Sequence, residues 1–160
     1  MTKSKIIPIT ERHATQPFVV VGCLIEKDGK FLFIYQGGKY NQPVGWLELR
    51  EDILSGAKRE TEEETGIEVE ITDFLGTYTL IKQKGDKILH AVKFMFIAKP
   101  TGNKSDSKEV LESKWLSIEE IKKMDGQFWD PDVIKEIEDF ESGKRYPLSI
   151  FNNFTDLSTS

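Results

Sequence analysis

The chain has 160 residues, of which 38% are hydrophobic and 31% are charged, and this balance is typical of a globular domain. Its formal net charge of −5 excludes bulk attraction for duplex nucleic acid or an anionic membrane. Cys23 is the only cysteine, which excludes an intrachain disulfide and favours the cytoplasm. The apolar run Phe18 to Ile25 is too short to cross a bilayer. We expect one domain over residues 1–160.

Strand and helix signals follow a polar leader. The segments FVVVGCLIE (18–26) and KFLFIYQ (30–36) predict two strands, which the hairpin signal KDG joins. The stretch GGKYNQPVGW is predicted as a loop. Apolar and small residues then recur at helical spacing from Asp52 to Thr65, and Gly66 ends this predicted helix.

The second half of the chain predicts three strands and two helices. The strands are residues 67–82, 88–100 and 113–117. A polar loop, residues 101–109, separates the last two strands, and helices follow at roughly 118–124 and 132–140. This order predicts an α/β (α+β) sandwich with a mixed sheet between helices.

The segment from Gly45 to Ile67 is unusually rich in carboxylates. They are Glu48, Glu51, Asp52, Glu60, Glu62, Glu63 and Glu64. Helical positions i, i+3 and i+4 lie on one face, so Glu60, Glu63 and Glu64 are expected to converge. Carboxylate oxygens are the ligands that Mg²⁺ or Mn²⁺ prefers, so this face predicts a divalent-metal site. Glu62 points elsewhere and is expected to be solvated. The alternative is a solvated acidic surface helix.

The spacing around this helix resembles the Nudix box, the signature of the Nudix hydrolases. Gly45 is followed after five residues by Glu51, and after seven more by RETEEETGI at residues 59–67. The resemblance implies a loop, helix and loop that bind a divalent metal. It also implies cleavage of a phosphoanhydride in a nucleoside diphosphate that is linked to another group.

The resemblance assigns metal-binding roles to several positions. Glu60, Glu63 and Glu64 match the metal-binding glutamates, and Gly45 matches a glycine whose backbone helps to hold the metal. Hydrolysis also needs a base for the attacking water. Glu63 and Glu64 are alternatives for that base. Glu109 is a third, because some Nudix enzymes place a catalytic or metal-binding glutamate near this position.

Two further positions match the box and three depart from it. Glu51 matches the first box glutamate, which supports the ligands or acts as an acid–base group, and Arg59 matches the arginine that orients a glutamate by ion pairing. Val44 and Arg50 occupy positions where many boxes have Gly, and Thr61 occupies a usually apolar position. Arg50 is either a surface residue or a contact to substrate phosphate.

The resemblance extends over about residues 16–152. YNQPVGWLE, KEVLESKWLSIEEI and FWDPDVIKEIEDFESGKRYPLSIF are similar to the NudJ-type phosphatase branch of the family. This implies Mg²⁺-dependent release of orthophosphate from nucleoside di- and triphosphates or thiamine-type pyrophosphates, with Gln42 as a candidate substrate contact. Alternatives are an ADP-ribose or dinucleoside polyphosphate hydrolase, or a nucleotide-sensing module without catalysis. Either a monomer or a homodimer fits the sequence.

Overall fold

The computed structural model of the protein describes residues 16–158 and the backbone of residues 7 and 8. In this part of the chain the strands are β1 (Ile7–Pro8), β2 (Phe18–Lys27), β3 (Lys30–Gln36), β4 (Lys39–Asn41), β5 (Val44–Trp46), β6 (Ile67–Lys84), β7 (Lys87–Lys104) and β8 (Ser113–Ser117). The helices are α1 (Ile53–Thr65), α2 (Ile118–Lys122) and α3 (Pro131–Glu141), and a 3₁₀ turn follows at Leu148–Ile150. Apart from residues 7 and 8, the predicted polar leader lies outside the described residues.

The strands form a mixed sheet. Strand β2 runs parallel to β7 and antiparallel to β3 and β5. Strand β6 pairs antiparallel with β7, and both β4 and β8 pair antiparallel with β3. The predicted mixed sheet with helices is therefore confirmed. No helix in the described part of the chain is long and apolar enough to span a bilayer.

The hairpin between β2 and β3 follows from its turn residues. Asp28 and Gly29 both have positive φ, 52° and 78°. Two successive positive-φ residues give the turn whose twist matches the flanking strands. The Glu26 carboxylate also accepts a hydrogen bond from the Gly29 N–H at 3.0 Å. The hairpin predicted from KDG is confirmed.

Alternate side chains of β2 lie on opposite faces of the sheet. Val21 and Cys23 belong to the core cluster under α1, and the Cys23 thiol lies 3.8 Å from the Ala57 carbonyl. Leu24 belongs to the other cluster, with Ile137 of α3. This period of two places α1 on one face of the sheet and α3 on the opposite face.

Two loop predictions were wrong in part. The predicted loop before α1 contains β4 and β5, and β5 pairs with β2 because Gly22 allows close approach. A Cβ atom at Gly22 would lie 2.3 Å from the Pro43 carbonyl oxygen. The later polar loop begins only after Lys104, because β7 continues its pairing with β6 up to Ile67. Short strands and strand extensions made by distant partners leave little periodicity in the sequence.

Candidate metal and catalytic site

Both ends of α1 are fixed by local chemistry. Before the helix, the Asp52 carboxylate accepts from the Ser55 N–H at 2.9 Å. After it, Gly66 adopts φ 73° and its N–H donates to the Glu62 carbonyl at 3.0 Å. A side chain at Gly56 would lie 2.8 Å from a Glu51 oxygen, so this glycine lets the preceding loop lie on the helix. These contacts produce the predicted loop, helix and loop.

Arg59 connects this loop to the helix. Its Nε donates to Glu51 Oε2 at 2.5 Å, and its Nη2 donates to Glu51 Oε1 at 2.9 Å. Nη2 also donates to the Trp46 carbonyl at 3.1 Å. The hydrogen bonds from Arg59 lower the pKa of the Glu51 carboxyl. Glu51 is therefore ionised and holds the guanidinium in a fixed orientation.

The same guanidinium faces further carboxylates. Arg59 Nη1 donates to Glu60 Oε1 at 2.9 Å and to Glu63 Oε2 at 3.1 Å, and a Glu48 oxygen lies 3.6 Å away. Glu60 is buried, and burial raises the pKa of its carboxyl. Its Oε2 has no hydrogen-bond partner among the described residues. The cluster thus carries more negative charge than Arg59 neutralises.

Gly45 and Val44 bring the backbone of β5 against the carboxylates of α1. A Cβ atom at Gly45 would lie 2.0 Å from Glu60 Cδ, so the Glu60 carboxylate lies directly on the glycine. The buried Glu64 carboxylate accepts from the Val44 N–H at 2.9 Å. Val44 contributes this contact through its backbone, so its departure from the common glycine leaves the contact possible.

Glu63 and Glu109 line one open cavity. This cavity, of about 560 Å³, lies between α1 and the loop after β7 and is also lined by Lys58, Arg59 and Ser107. Glu60 and Glu64 instead lie beneath the helix, where they are buried. The three glutamates of the predicted face therefore occupy two environments, with Glu63 open to solvent.

The expectation that Glu62 is merely solvated was wrong. Its carboxylate accepts from the Val69 N–H at 2.9 Å and pairs with Lys58 at 2.5 Å. Glu62 therefore anchors the first residues of β6 to α1. The sequence does not show this role, because it depends on how the chain folds back after Gly66. Sequence reasoning also gave no role to Glu48, although it lies within the carboxylate-rich stretch.

Arg50 and Gln42 lie apart from the cavity that Glu63 lines. Arg50 is exposed and has φ 68°, a left-handed conformation that favours glycine. This conformation accounts for the glycine that many Nudix boxes have at the corresponding position. Gln42 is buried, and neither atom of its side-chain amide has a hydrogen-bond partner among the described residues.

The carboxylate oxygens of the cluster around Arg59 are suitable ligands for a hard divalent cation. Within the described part of the chain, no group of three His, Cys, Asp or Glu side chains already surrounds one point closely enough to hold a metal. Instead, Arg59 lies between Glu60 and Glu63. The unpartnered Glu60 oxygen and the excess negative charge are features that a divalent cation would satisfy.

Comparisons with known proteins agree with this geometry. The family model for the NUDIX domain matches residues 16–137. The chain is 34% identical over 146 residues to Phosphatase NudJ of Shigella boydii serotype 4 (strain Sb227), which covers 87% of this chain and 93% of that protein. The chain is 33% identical to Phosphatase NudJ of Escherichia coli (strain K12), over 87% of this chain and 93% of that protein. A solved NUDIX hydrolase from Nitrosomonas europaea superimposes with a TM-score of 0.76 at 31% identity, over 87% of this chain and 98% of that chain. The chain therefore belongs to the Nudix family, and it is a hydrolase that acts on pyrophosphate bonds.

Proposed function

We propose that this protein hydrolyses a phosphoanhydride bond in a nucleoside di- or triphosphate or in a thiamine-type pyrophosphate, and that it releases orthophosphate. The reaction requires Mg²⁺, for which Mn²⁺ substitutes. The observation that carries the proposal is the Arg59 cluster, in which four glutamates face one guanidinium. The similarity to proteins named Phosphatase NudJ supports orthophosphate as the product.

Glu60, Glu63 and Glu64 are the side chains that would hold the metal, and the Gly45 backbone lies against the first of them. When bound, the cation supplies positive charge that neutralises phosphate oxygens and makes water more acidic. Arg59 keeps Glu60 and Glu63 close together before the metal arrives, because one of its nitrogens contacts both carboxylates. Like-charge repulsion would otherwise separate them.

The proton of the attacking water goes to a carboxylate within hydrogen-bond reach. Glu64 is buried, accepts a hydrogen bond from the Val44 N–H and does not line the cavity that Glu63 lines. Glu109 is exposed on the cavity that Glu63 also lines. We therefore assign proton transfer to Glu109, with Glu63 as the alternative.

The substrate is a small phosphorylated molecule rather than a polymer. The unpartnered amide of Gln42 supports a contact to the part of the substrate beyond the phosphates. Arg50, a cation in the loop before α1, supports a contact to phosphate. The free, buried Cys23, whose thiol pKa is raised by burial to about 12, is inert to oxidation and suits a protein of the cytoplasm.

A turnover assay tests the proposal. The purified protein is incubated with nucleoside di- and triphosphates, thiamine pyrophosphate, ADP-ribose and dinucleoside polyphosphates, with Mg²⁺ or with EDTA. We expect direct release of orthophosphate with Mg²⁺ and none with EDTA, and we expect Mn²⁺ to restore activity.

The products distinguish the alternatives. Nucleoside monophosphate plus pyrophosphate from triphosphates, or AMP plus ribose phosphate as the best activity, would contradict the phosphatase assignment alone. Full turnover in EDTA would contradict the metal requirement. Tight nucleotide binding without turnover of any substrate would indicate a sensing module.

A further inference from the structure

The loop that carries Glu109 is attached to the last turn of α1. The Ser105 hydroxyl donates to the Glu62 carbonyl at 2.8 Å, and the Ser107 hydroxyl donates to the Glu63 carbonyl at 2.6 Å. The Leu111 N–H donates to the Glu64 carbonyl at 2.8 Å. Carbonyls in the last turn of a helix lack partners within the helix. The loop supplies partners for the Glu63 and Glu64 carbonyls and a second hydrogen bond to the Glu62 carbonyl, which also accepts from the Gly66 N–H. Its position is therefore tied to the helix that carries the proposed metal-binding glutamates.

Ser107 makes a second contact that Ser105 does not make. Its oxygen also accepts a hydrogen bond from the Glu109 N–H at 3.1 Å. A serine hydroxyl can donate one hydrogen bond and accept others at the same time. One oxygen atom therefore connects the backbone of Glu63 to the backbone of Glu109.

The Glu109 carboxylate itself has no hydrogen bond or ion pair to another described residue that would hold it in place. The Glu109 side chain is exposed on the open cavity. Its reach toward the substrate is therefore set by its backbone, and the backbone is held through Ser107. Misplacing a reacting group by about 1 Å can lower the rate roughly 10²-fold, so loss of this hydrogen bond is expected to slow the reaction.

We propose that Ser107 is a positioning residue for the hydrolysis reaction, which holds Glu109 at a fixed place relative to the carboxylates of α1. This inference rests on the proposed function, in which Glu109 accepts the proton. It differs from a purely structural role, which would only satisfy the end of the helix. Ser105 has that structural role, since it bonds the neighbouring carbonyl without touching Glu109.

Ser105 therefore provides a matched control. Both serines are partly buried and both cap a carbonyl of the same helical turn. We expect Ser107→Ala to lower kcat by ~10-fold or more with KM changed by less than about two-fold, because the loss concerns orientation at the transition state. Ser105→Ala should lower kcat by less than about three-fold, and Ser107→Thr, which keeps the hydroxyl, should restore most of the rate.

A double-mutant cycle with Glu109→Gln separates positioning from structure. If Ser107 acts through Glu109, then Ser107→Ala should cause no further loss of kcat in the Glu109→Gln protein. Thermal unfolding of all variants, measured in parallel, shows whether any loss of rate reflects loss of folded protein.

Several results would overturn the inference. These are equal losses in Ser105→Ala and Ser107→Ala, an additive loss in the double mutant, or full activity of Glu109→Gln, provided that the wild-type protein turns over. A wild-type protein without turnover in Mg²⁺ would overturn the proposed function, and this inference with it. The wild-type measurement thus distinguishes the two failures.

Discussion

Two clusters on opposite faces of the sheet each place one cation among more carboxylates than it can neutralise. On the α1 face, Arg59 contacts four glutamates and borders an open cavity. On the α3 face, Lys93 Nζ lies 2.6 Å from Asp132 and 2.7 Å from Glu136. The second cluster is sealed, since the Lys93, Asp132 and Glu136 side chains are 8%, 9% and 0% exposed.

The difference in access decides how each cluster loses its excess charge. A cation from solvent can reach Glu63 beside Arg59, because both residues line the open cavity. In the sealed cluster a proton is the available positive charge, and burial raises the pKa of Glu136 to about 7. We therefore expect metal binding at the first cluster and pH-dependent stability at the second, although their compositions are similar.

Lys93→Met should have the largest effect on folding. It leaves Asp132 and Glu136 buried without their cation, so the free energy of unfolding should fall by about 3–5 kcal/mol at pH 8. Urea denaturation measures this change. The control is Lys135→Met, which removes an exposed partner of Asp139 and should cost less than about 1 kcal/mol. Equal effects of the two substitutions would show that the sealed cluster is not electrostatically strained.

The pH dependence of stability should reveal the titration of Glu136. Its folded-state pKa of about 7 lies above the ordinary value of 4.5. Stability from this group is therefore fully present below about pH 4.5 and is lost as pH rises through 7. The full loss is about 3 kcal/mol, since one pKa unit corresponds to about 1.4 kcal/mol.

Glu136→Gln should remove this dependence without changing turnover. The amide keeps the shape of the side chain but cannot ionise, so unfolding free energies between pH 5 and 8, measured in urea, should vary less than in the wild-type protein. An unchanged slope would mean that Glu136 is already ionised at low pH in the folded state, held by Lys93.

Carboxylate-to-amide changes on α1 should lower turnover and leave the stability largely unchanged, whereas Glu136→Gln should change stability and not turnover. Glu63→Gln or Glu64→Gln should lower kcat by ~10² or more, because each removes a ligand charge or base, while the protein stays folded. Glu62→Gln is the internal control. Its amide oxygen can still accept from the Val69 N–H, and only a part-exposed pair with Lys58 is lost. Equal losses of kcat at all three positions would contradict the assignment of Glu63 and Glu64, but not Glu62, to the metal-binding face of the helix.

Gly45→Ala should perturb the same site from the sheet side. The added Cβ would overlap the Glu60 carboxylate, which is the free end of a side chain rather than backbone. The carboxylate must move, so we expect kcat to fall ~10-fold or more, with a smaller effect on unfolding. Steady-state kinetics beside thermal unfolding check this. A loss of stability with unchanged kcat would show that the position of Glu60 is irrelevant to turnover.

The sequence predicts the open cluster far better than the sealed one, and the reason is separation along the chain. Glu63 lies four residues after Arg59 on one helix, so their spacing alone predicts that contact. Lys93 meets Glu136 across 43 positions of the chain, through the packing of α3 on β7. No local pattern marks that contact.

Separation along the chain also explains why the roles of Glu62 and Ser107 were not predicted. Glu62 meets Val69 only because the chain reverses at Gly66, and Ser107 reaches Glu63 across 44 positions. By contrast, the hairpin at Asp28 and the ends of α1 depend on neighbours in sequence, and their bounds were predicted closely, as were those of β8. Tertiary hydrogen bonds to backbone groups have no signature in composition or periodicity.

Arg50→Gly should have the smallest effect on the free energy of unfolding, and it should raise this free energy, whereas Lys93→Met lowers it. Arg50 has φ 68°, and a non-glycine residue in this conformation costs about 1–2 kcal/mol, of which the flexibility of glycine in the unfolded chain offsets roughly 0.5–1. We expect the free energy of unfolding to rise by about 0.5 kcal/mol. Asp28→Gly is the matched control, because Asp28 has φ 52° but aspartate tolerates this region better, so its gain should be smaller. Kinetics of Arg50→Gly then test the proposed phosphate contact, since KM should rise several-fold if the guanidinium binds substrate. A more stable protein with unchanged KM would show that Arg50 is a surface residue and leave the Arg59 cluster as the cationic centre of the open site.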